Sequence, residues 1–443
     1  MVSVIVKKSK IRGCIRCPSS KSYTHRAIAI ASISEANNQE GSDVNRSIIK
    51  NALLSRDTLA TLSACKALGA QITHDNLDIW IRGSRKFAAP EDIINVENSG
   101  TTLRLITVLS SLVKDGYTVL TGDESLRKRP MQPLLNALEQ LGVECYSSKL
   151  NGTAPIIIKG GGIRGGTATI DGSLSSQFIS ALLISGVYAD SDVNIKVKGH
   201  QVSKPYIEST LSAMKAFGVE IEHSPNLLEY HIAKNNEYIP SIFDVPSDLS
   251  TAALIICACV LSGERLIIRG LNFILPQADY RIIDIVRKMG GQIIIDESKG
   301  EAAIYGSKDL IGGEFDLSDT PDLLPVVSIL ALKAAGQVKI SGLSHVRLKE
   351  TDRVEKIAFE LRKLGAHIME SNDELLISAP KVLKNAVLEA YNDHRLFMAF
   401  TIASLLTDNS VVAGAESVDV SYPNFIQDMK NIGANIEAMP DRE

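Results

Sequence analysis

The sequence predicts an α/β protein built from six copies of one unit, and three features predict it. A helix-stop signature recurs as KALGAQI, EQLGVEC, KAFGVEI, RKMGGQI, RKLGAHI and KNIGANI. Each copy is an amphipathic pattern ending in glycine, which suits the left-handed position past a helix C-terminus, and in most copies a strand-like run follows. These glycines are Gly69, Gly142, Gly218, Gly290, Gly365 and Gly433, spaced 68 to 76 residues apart. Each unit also holds one nearly all-apolar stretch: RAIAIASI, LRLITVLSSL, FISALLISGVYA, TAALIICACVL, LLPVVSILALKAA and LFMAFTIASLL. A helix apolar on every face is a buried one. Finally, short Val/Ile-rich runs such as IIIK (156–159), LIIRG (266–270) and QVKISG (337–342) read as strands. The unit is therefore strand, buried helix, strand, amphipathic helix, strand, strand.

Bulk composition sets the outer limits. At 443 residues and 45% hydrophobic, the chain can bury a large core shared among more than one domain. The net charge of −4 favours neither nucleic acid nor an anionic membrane, so anion binding must come from local clusters. The opening VSVIVKK is strand-like, and no apolar run reaches the ~18 residues of a membrane span. The expectation is a soluble, unprocessed, cytoplasmic protein whose six cysteines are reduced and mostly buried. Cys14-Ile15-Arg16-Cys17 is formally C-x-x-C. Its strand-like setting puts the two thiols on opposite faces, which argues against a metal or redox pair.

Buried helices still present free N–H groups and positive dipole character at their starts. The six starts are polar: Lys21-Ser22, Gly100-Thr101, Ser175-Ser176-Gln177, Asp248-Leu249-Ser250, Pro321-Asp322 and Asn392-Asp393-His394-Arg395. Plain capping accounts for Ser, Thr, Asp and Asn there, and it is the favoured reading of Asp248. It does not account for Lys21, Arg26 and Arg395, because cations oppose the dipole unless an anion lies between. The amphipathic helices begin near Ser55-Arg56-Asp57, Leu126-Arg127-Lys128-Arg129-Pro130, Val202-Ser203-Lys204-Pro205-Tyr206, Gln277-Ala278-Asp279-Tyr280, Lys349-Glu350-Thr351-Asp352-Arg353 and Ser421-Tyr422-Pro423. If equivalent helices point the same way, both rings of N-termini face one place and make a focused anion site.

GGGIRGG (160–166) matches G-x-G-x-x-G but precedes the alternating run TATIDGS, so a glycine-rich hairpin is expected rather than a dinucleotide site. Phosphate-loop, zinc-protease and hydrolase motifs are absent from the sequence. Arg129, Arg353 and Arg395 suit bidentate capture of carboxylate and phosphate. Asp322 and Glu350 suit general acid/base work. The residues alone point to an enzyme of small, phosphorylated polyanions without metal or nucleotide. A non-catalytic repeat scaffold for acidic ligands is the alternative, but it has no use for Asp322 and Glu350 beside the cations.

Eight ordered motifs then carry a resemblance: PSSKSYTHRA (18–27), NSGTTLR (98–104), LRKRPMQPL (126–134), DGSLSSQF (171–178), VSKPYI (202–207), TPDLLP (320–325), RLKETDR (347–353) and YNDHR (391–395). With them the chain resembles, along essentially its whole length, the 5-enolpyruvylshikimate-3-phosphate (EPSP) synthase family of enolpyruvyl transferases. The resemblance implies a two-domain inverse α/β barrel, each domain holding three pseudo-symmetric βαβαββ units whose helix N-termini face a cleft closed by domain movement. Residues 15–240 would form the N-terminal domain, mainly binding shikimate 3-phosphate. Residues 1–14 and 241–443 would form the C-terminal domain, mainly binding phosphoenolpyruvate and carrying catalysis.

The resemblance also implies roles. Lys21, Gly100, Thr101, Arg129, Gln177, Arg353 and Arg395 would hold phosphoenolpyruvate. Lys21, Ser22, Arg26, Ser175, Ser176, Gln177, Ser203, Tyr206, Asp322, His345 and Lys349 would hold shikimate 3-phosphate. Asp322, Glu350 and Lys21 would be catalytic, with no cofactor or metal, and the protein a monomer. Two positions depart from part of the family: His345 stands where Asn is found, and Val420 where a Lys precedes the proline of VSYPNF. The sister enzymes that act on a UDP-amino sugar use a Cys-bearing loop before an Arg-Pro, whereas TGDESLRKRP (121–130) has no Cys.

Overall fold

The computed structural model describes residues 2–35 and 45–439. The chain divides into two compact units, Ser19–Pro246 and Met1–Pro18 with Ser247–Glu443. These divisions lie a few residues beyond the bounds implied by the family resemblance.

Within Ser19–Pro246 the helices are α1 (Lys21–Ile33), α2 (Arg56–Ala67), α3 (Gly100–Leu109), α4 (Gln132–Gln140), α5 (Ser176–Gly186) and α6 (Lys204–Ala216). The other unit holds α7 (Leu249–Ser262), α8 (Ile282–Lys288), α9 (Leu324–Leu330), α10 (Arg353–Lys363), α11 (His394–Ser404) and α12 (Phe425–Asn431). The odd-numbered helices are not all alike: α11 is buried along its full length, as are α9 and nearly all of α7, whereas α1 leaves Lys21 and Ser22 half-buried. The even-numbered helices bury one face. In α10 that face is Val354, Ile357, Ala358 and Leu361, the spacing of a helical stripe.

All six stop glycines adopt the left-handed backbone their motif requires, with φ between 83° and 111°. No Cβ-bearing residue adopts this conformation as cheaply, and it is what turns each amphipathic helix toward its next strand.

Among the described residues, each unit contains three four-stranded sheets of one plan. In the order Gly166–Asp171, Val193–Lys198, Glu229–Ile232, Glu222–His223, the first pair is parallel and the others antiparallel. Two first strands are exchanged. Gly13–Arg16 precedes α1 in sequence yet pairs in parallel with Arg265–Arg269, after α7. Ile242–Asp244 precedes α7 yet pairs in parallel with Ser47–Lys50, after α1. The N-terminal strand Ser3–Lys7 fills the third place of the last sheet, between Ser410–Ala413 and Asn435–Ala438.

Three local expectations are corrected. GGGIRGG is not a hairpin: Ile156–Lys159 and Gly166–Asp171 belong to different sheets, so the glycines carry the chain from one repeat to the next. Gly161 and Gly162 donate there to the carbonyls of Val113 and Ser111 at 2.7 and 2.8 Å, a backbone-on-backbone approach. LLPVVSILALKAA is not helical throughout. It ends in a 3-10 turn at Ala331–Lys333, and Ala334 already opens a strand paired to Leu310. Charged segments expected to open amphipathic helices instead form 3-10 turns ahead of them, at Leu126–Lys128 before α4 and at Ala278–Arg281 before α8.

Candidate functional site

In Ser19–Pro246 the predicted residues gather at helix starts. Ser20 caps α1, and Lys21, its first residue, places Nζ 2.9 Å from Oδ2 of Asp57 in the first turn of α2. Both groups are largely buried, so the pair fixes the ammonium at the α1 mouth. At the start of α3, Ser99 caps while Gly100 and Thr101 follow. Gln177 on α5 donates through Nε2 to Thr101 Oγ1 at 2.9 Å and accepts through Oε1 from Arg104 Nη1 at 2.6 Å. Arg129 donates to Asn98 Oδ1 at 2.7 Å. A Cβ on Gly100 would lie 2.6 Å from Arg104 Nη1 and 2.7 Å from Arg129 Nη1. Glycine is thus what lets two guanidinium groups close on the α3 N-terminus.

Arg26 differs from its expected place at an open mouth. It is 2% exposed and donates to Thr210 Oγ1 (2.7 Å), Ser22 O (3.0 Å), Tyr206 O (3.0 Å) and Ser180 Oγ (3.5 Å). These acceptors are neutral and lie on α1, α5 and α6, so Arg26 ties three helices together. Burial without a carboxylate lowers its pKa to about 10, leaving it charged at neutral pH. Ser175 caps α5, Ser176 is buried, and Ser203 stands before α6 with left-handed φ of 58°. Such backbone in a non-glycine residue costs energy and concentrates at functional positions.

His25 is a further buried group that motif reading passed over. Its Nδ1 meets Thr61 Oγ1 at 2.7 Å, Thr61 meets Thr102 at 2.6 Å, and Thr102 meets Ser99 at 2.6 Å. Burial, then Lys21 and Arg26, push its pKa well below the usual range, so it is neutral.

In the other unit the charges are denser. Arg353, the first residue of α10, is 1% exposed. Its Nε meets Asp393 Oδ2 at 2.7 Å, its Nη1 meets Asp322 Oδ1 at 3.0 Å, and its Nη2 meets Glu350 Oε2 at 2.7 Å. Asp322 also receives Arg395 Nη2 at 2.8 Å on Oδ2. Burial opposes ionisation of Asp322, but Arg395, Lys349 and Arg353 outweigh it and hold the carboxyl well below its ordinary range. Burial likewise opposes the Arg353 charge, and Asp393, Glu350 and Asp322 reverse that and raise its pKa. Asp248 caps α7 by accepting from Thr251 N at 2.9 Å, the plain capping expected of it. Asp279, Ser250 and Asp322 adjoin: Ser250 Oγ bonds Asp279 Oδ2, and burial, then Asp322, raise the Asp279 pKa to about 6.

His345 is buried in the 3-10 turn Ser344–Leu348. Val420 is 8% exposed at the end of another, Ala415–Val420, so a lysine there would start from a packed position. Cys14 is exposed and Cys17 buried, with Cys17 Sγ donating to Asp248 O at 3.3 Å. Among the described residues no group of three or more His, Cys, Asp or Glu is placed to hold a metal ion, and no helix is long and apolar enough to cross a membrane.

Residues missing from the sequence-based set are mostly partners: Asp57, Asn98, Arg104, Asp279 and Asp393. Asn98 and Arg104 sit inside NSGTTLR, and Asp393 inside YNDHR, so proximity to those motifs was a usable signal. Asp57 and Asp279 looked like ordinary helix-start acids.

Comparison with known proteins matches residues 5–429 to the family described as EPSP synthase (3-phosphoshikimate 1-carboxyvinyltransferase). A 3-phosphoshikimate 1-carboxyvinyltransferase of Nitrosopumilus maritimus is 46% identical over 432 residues, covering 98% of this chain and 99% of that one. One of Methanocaldococcus jannaschii is 43% identical over 440 residues, covering 99% and 100%. Among solved structures, an EPSP synthase from Acinetobacter baumannii superposes with a TM-score of 0.81 at 24% identity, covering 99% of this chain and 100% of that one. That likeness shows a shared fold.

Proposed function

The chain belongs to the EPSP synthase family, and from that membership we infer that it transfers the enolpyruvyl (1-carboxyvinyl) group of phosphoenolpyruvate to the 5-hydroxyl of shikimate 3-phosphate. This transferase step belongs to the shikimate pathway of aromatic amino-acid biosynthesis. The observation that carries the mechanistic reading is Asp322, a carboxylate shared between Arg353 and Arg395. The finer architecture follows from membership too: two three-repeat domains of the inverse α/β barrel kind.

Lys21, Ser22, Arg26, Ser175, Ser176, Gln177, Ser203, Tyr206, Asp322, His345 and Lys349 bind shikimate 3-phosphate, with Arg26 also fixing the backbones of Ser22 and Tyr206. Lys21, Gly100, Thr101, Arg129, Gln177, Arg353 and Arg395 bind phosphoenolpyruvate. Glu350 protonates the methylene carbon of phosphoenolpyruvate, leaving an oxocarbenium-like C2. The 5-hydroxyl attacks C2 and gives its proton to Asp322. The resulting tetrahedral ketal returns a methyl proton to Glu350 and expels phosphate, which Lys21 neutralises and protonates. An Asp322 ringed by cations is a weak base, so substrate phosphate and carboxylate must first draw those cations off it. No cofactor is required, and a cytoplasmic monomer completes the reading.

Purified protein supplied with shikimate 3-phosphate and phosphoenolpyruvate is expected to release phosphate and form the enolpyruvyl ether. Binding without turnover would favour a scaffold, and turnover only with a UDP-amino sugar would favour the sister chemistry.

A further inference from the structure

We propose that Glu360 is a positioning residue for the phosphoenolpyruvate-side arginines, acting from the middle of α10 on the turn that aims Asp393 and Arg395. The proposal rests on the reading that Arg353 and Arg395 hold phosphoenolpyruvate.

Helix α10 carries Arg353, Lys356, Glu360 and Lys363 at spacings of three and four residues, hence along one face. Each of these side chains meets the segment that leads into α11. Arg353 binds Asp393. Lys356 Nζ lies 4.9 Å from the centre of the Tyr391 ring. Glu360 accepts from Tyr391 Oη at 2.7 Å through Oε1 and from Glu389 N at 3.1 Å through Oε2. Lys363 Nζ reaches both Glu360 oxygens at 2.8 Å and donates to Val387 O at 3.2 Å.

The segment so held is strained. Tyr391 and Asn392 are consecutive non-glycine residues in left-handed backbone, with φ of 54° and 58°. Two such residues in a row persist only where their surroundings over-determine them. The turn delivers Asp393 to the N-cap of α11, where its Oδ1 accepts from Arg395 N at 2.9 Å. Asp393 and Arg395 thus take their direction from a turn whose side-chain anchor is Glu360. Glu360 is 0% exposed and its partner Lys363 35% exposed, and a half-buried ion pair adds little net stability. What this one supplies is geometry: hydrogen bonds from three donors, Glu389, Tyr391 and Lys363, that join the strand end, the turn and α10.

Steady-state kinetics and thermal denaturation of E360Q, Y391F and R395K test this. R395K reports on the underlying reading and is expected to raise the KM for phosphoenolpyruvate at least about tenfold, because lysine cannot reproduce a bidentate guanidinium. E360Q is expected to raise the same KM by about tenfold to a hundredfold, as a misplacement near 1 Å does. Y391F, which removes one hydrogen bond, should raise it about threefold. The KM for shikimate 3-phosphate should stay unchanged in E360Q and Y391F. Unchanged phosphoenolpyruvate KM in both, with R395K impaired, overturns the proposal and leaves the reading intact. Equal losses for both substrates also overturn it, as a general structural role would give. An unimpaired R395K overturns reading and proposal together. If E360Q does not fold, Y391F decides by the same comparison.

Discussion

Arg353 and Asp393 meet at 2.7 Å with side chains 1% and 0% exposed, one opening α10 and the other capping α11. The contact joins two helix starts and orients both. Asp393→Ala would leave the guanidinium buried with one partner fewer and uncap α11. The expected cost is about 3–5 kcal/mol, the range for breaking a buried pair, read from urea unfolding. A loss below about 1 kcal/mol, typical of surface pairs, would show that Asp322 and Glu350 satisfy Arg353 by themselves.

Gly100→Ala would set a methyl group 2.6 and 2.7 Å from the guanidinium nitrogens of Arg104 and Arg129. Both groups end flexible side chains, so folding should survive while the two cations are pushed outward. The expected result is a KM for phosphoenolpyruvate raised about tenfold, equivalent to about 1.4 kcal/mol, with a melting temperature near that of the parent. Unchanged kinetics would mean the cations re-form around the methyl group.

Lys21 and Arg26 share one helix but are expected to fail differently. Lys21→Ala should lower kcat as well as weaken binding of both substrates, as its proposed role of holding both and protonating the departing phosphate requires. Arg26→Ala should chiefly weaken shikimate 3-phosphate binding. It should also lower thermal stability, since Thr210, Ser180 and two backbone carbonyls lose their donor. Titration of each ligand against both variants separates the two outcomes, and identical defects would remove the distinction.

Asp279 predicts a stability change with pH. Burial, then the neighbouring Asp322, raise its folded pKa to about 6, above the ordinary Asp range, so the folded state binds the proton more tightly than the unfolded chain. Stability from this group is full below the ordinary Asp range and is lost as pH rises toward and through 6. Asp279→Asn removes that dependence. Relative to the parent, its unfolding free energy should rise between pH 4 and pH 7, measured by urea unfolding at several pH values. Asp322 acts oppositely and in a separate window: its lowered pKa contributes stability above the ordinary Asp range that is lost as pH falls below it. A pH-independent difference between Asp279→Asn and the parent would sink the assignment.

Much of this was legible because it is local. Left-handed glycines after Leu68, Leu141, Phe217, Met289, Leu364 and Ile432 follow from a helix needing a stop. All-apolar stretches buried themselves as α1, α3, α5, α7, α9 and α11. The cations of LRKRP and KETDR stood out because a cation beside a helix N-terminus opposes the dipole, an anomaly visible within a few residues. By itself, then, the sequence determined the sixfold unit, its burial pattern and the motifs that mark the family. Tertiary structure decided which residues cross between the units: the resemblance pointed to crossovers near residues 14 and 240, and the pairing places all of Gly13–Arg16 beside Arg265–Arg269 and Ile242–Asp244 beside Ser47–Lys50. It also decided the companions of the charges: Asp57 for Lys21, Asp393 for Arg353, and Thr210, 184 residues away, for Arg26. Periodicity reports which face of an element is buried. It carries no information about which distant element lies against that face, and the pairing of buried charges depends on that alone.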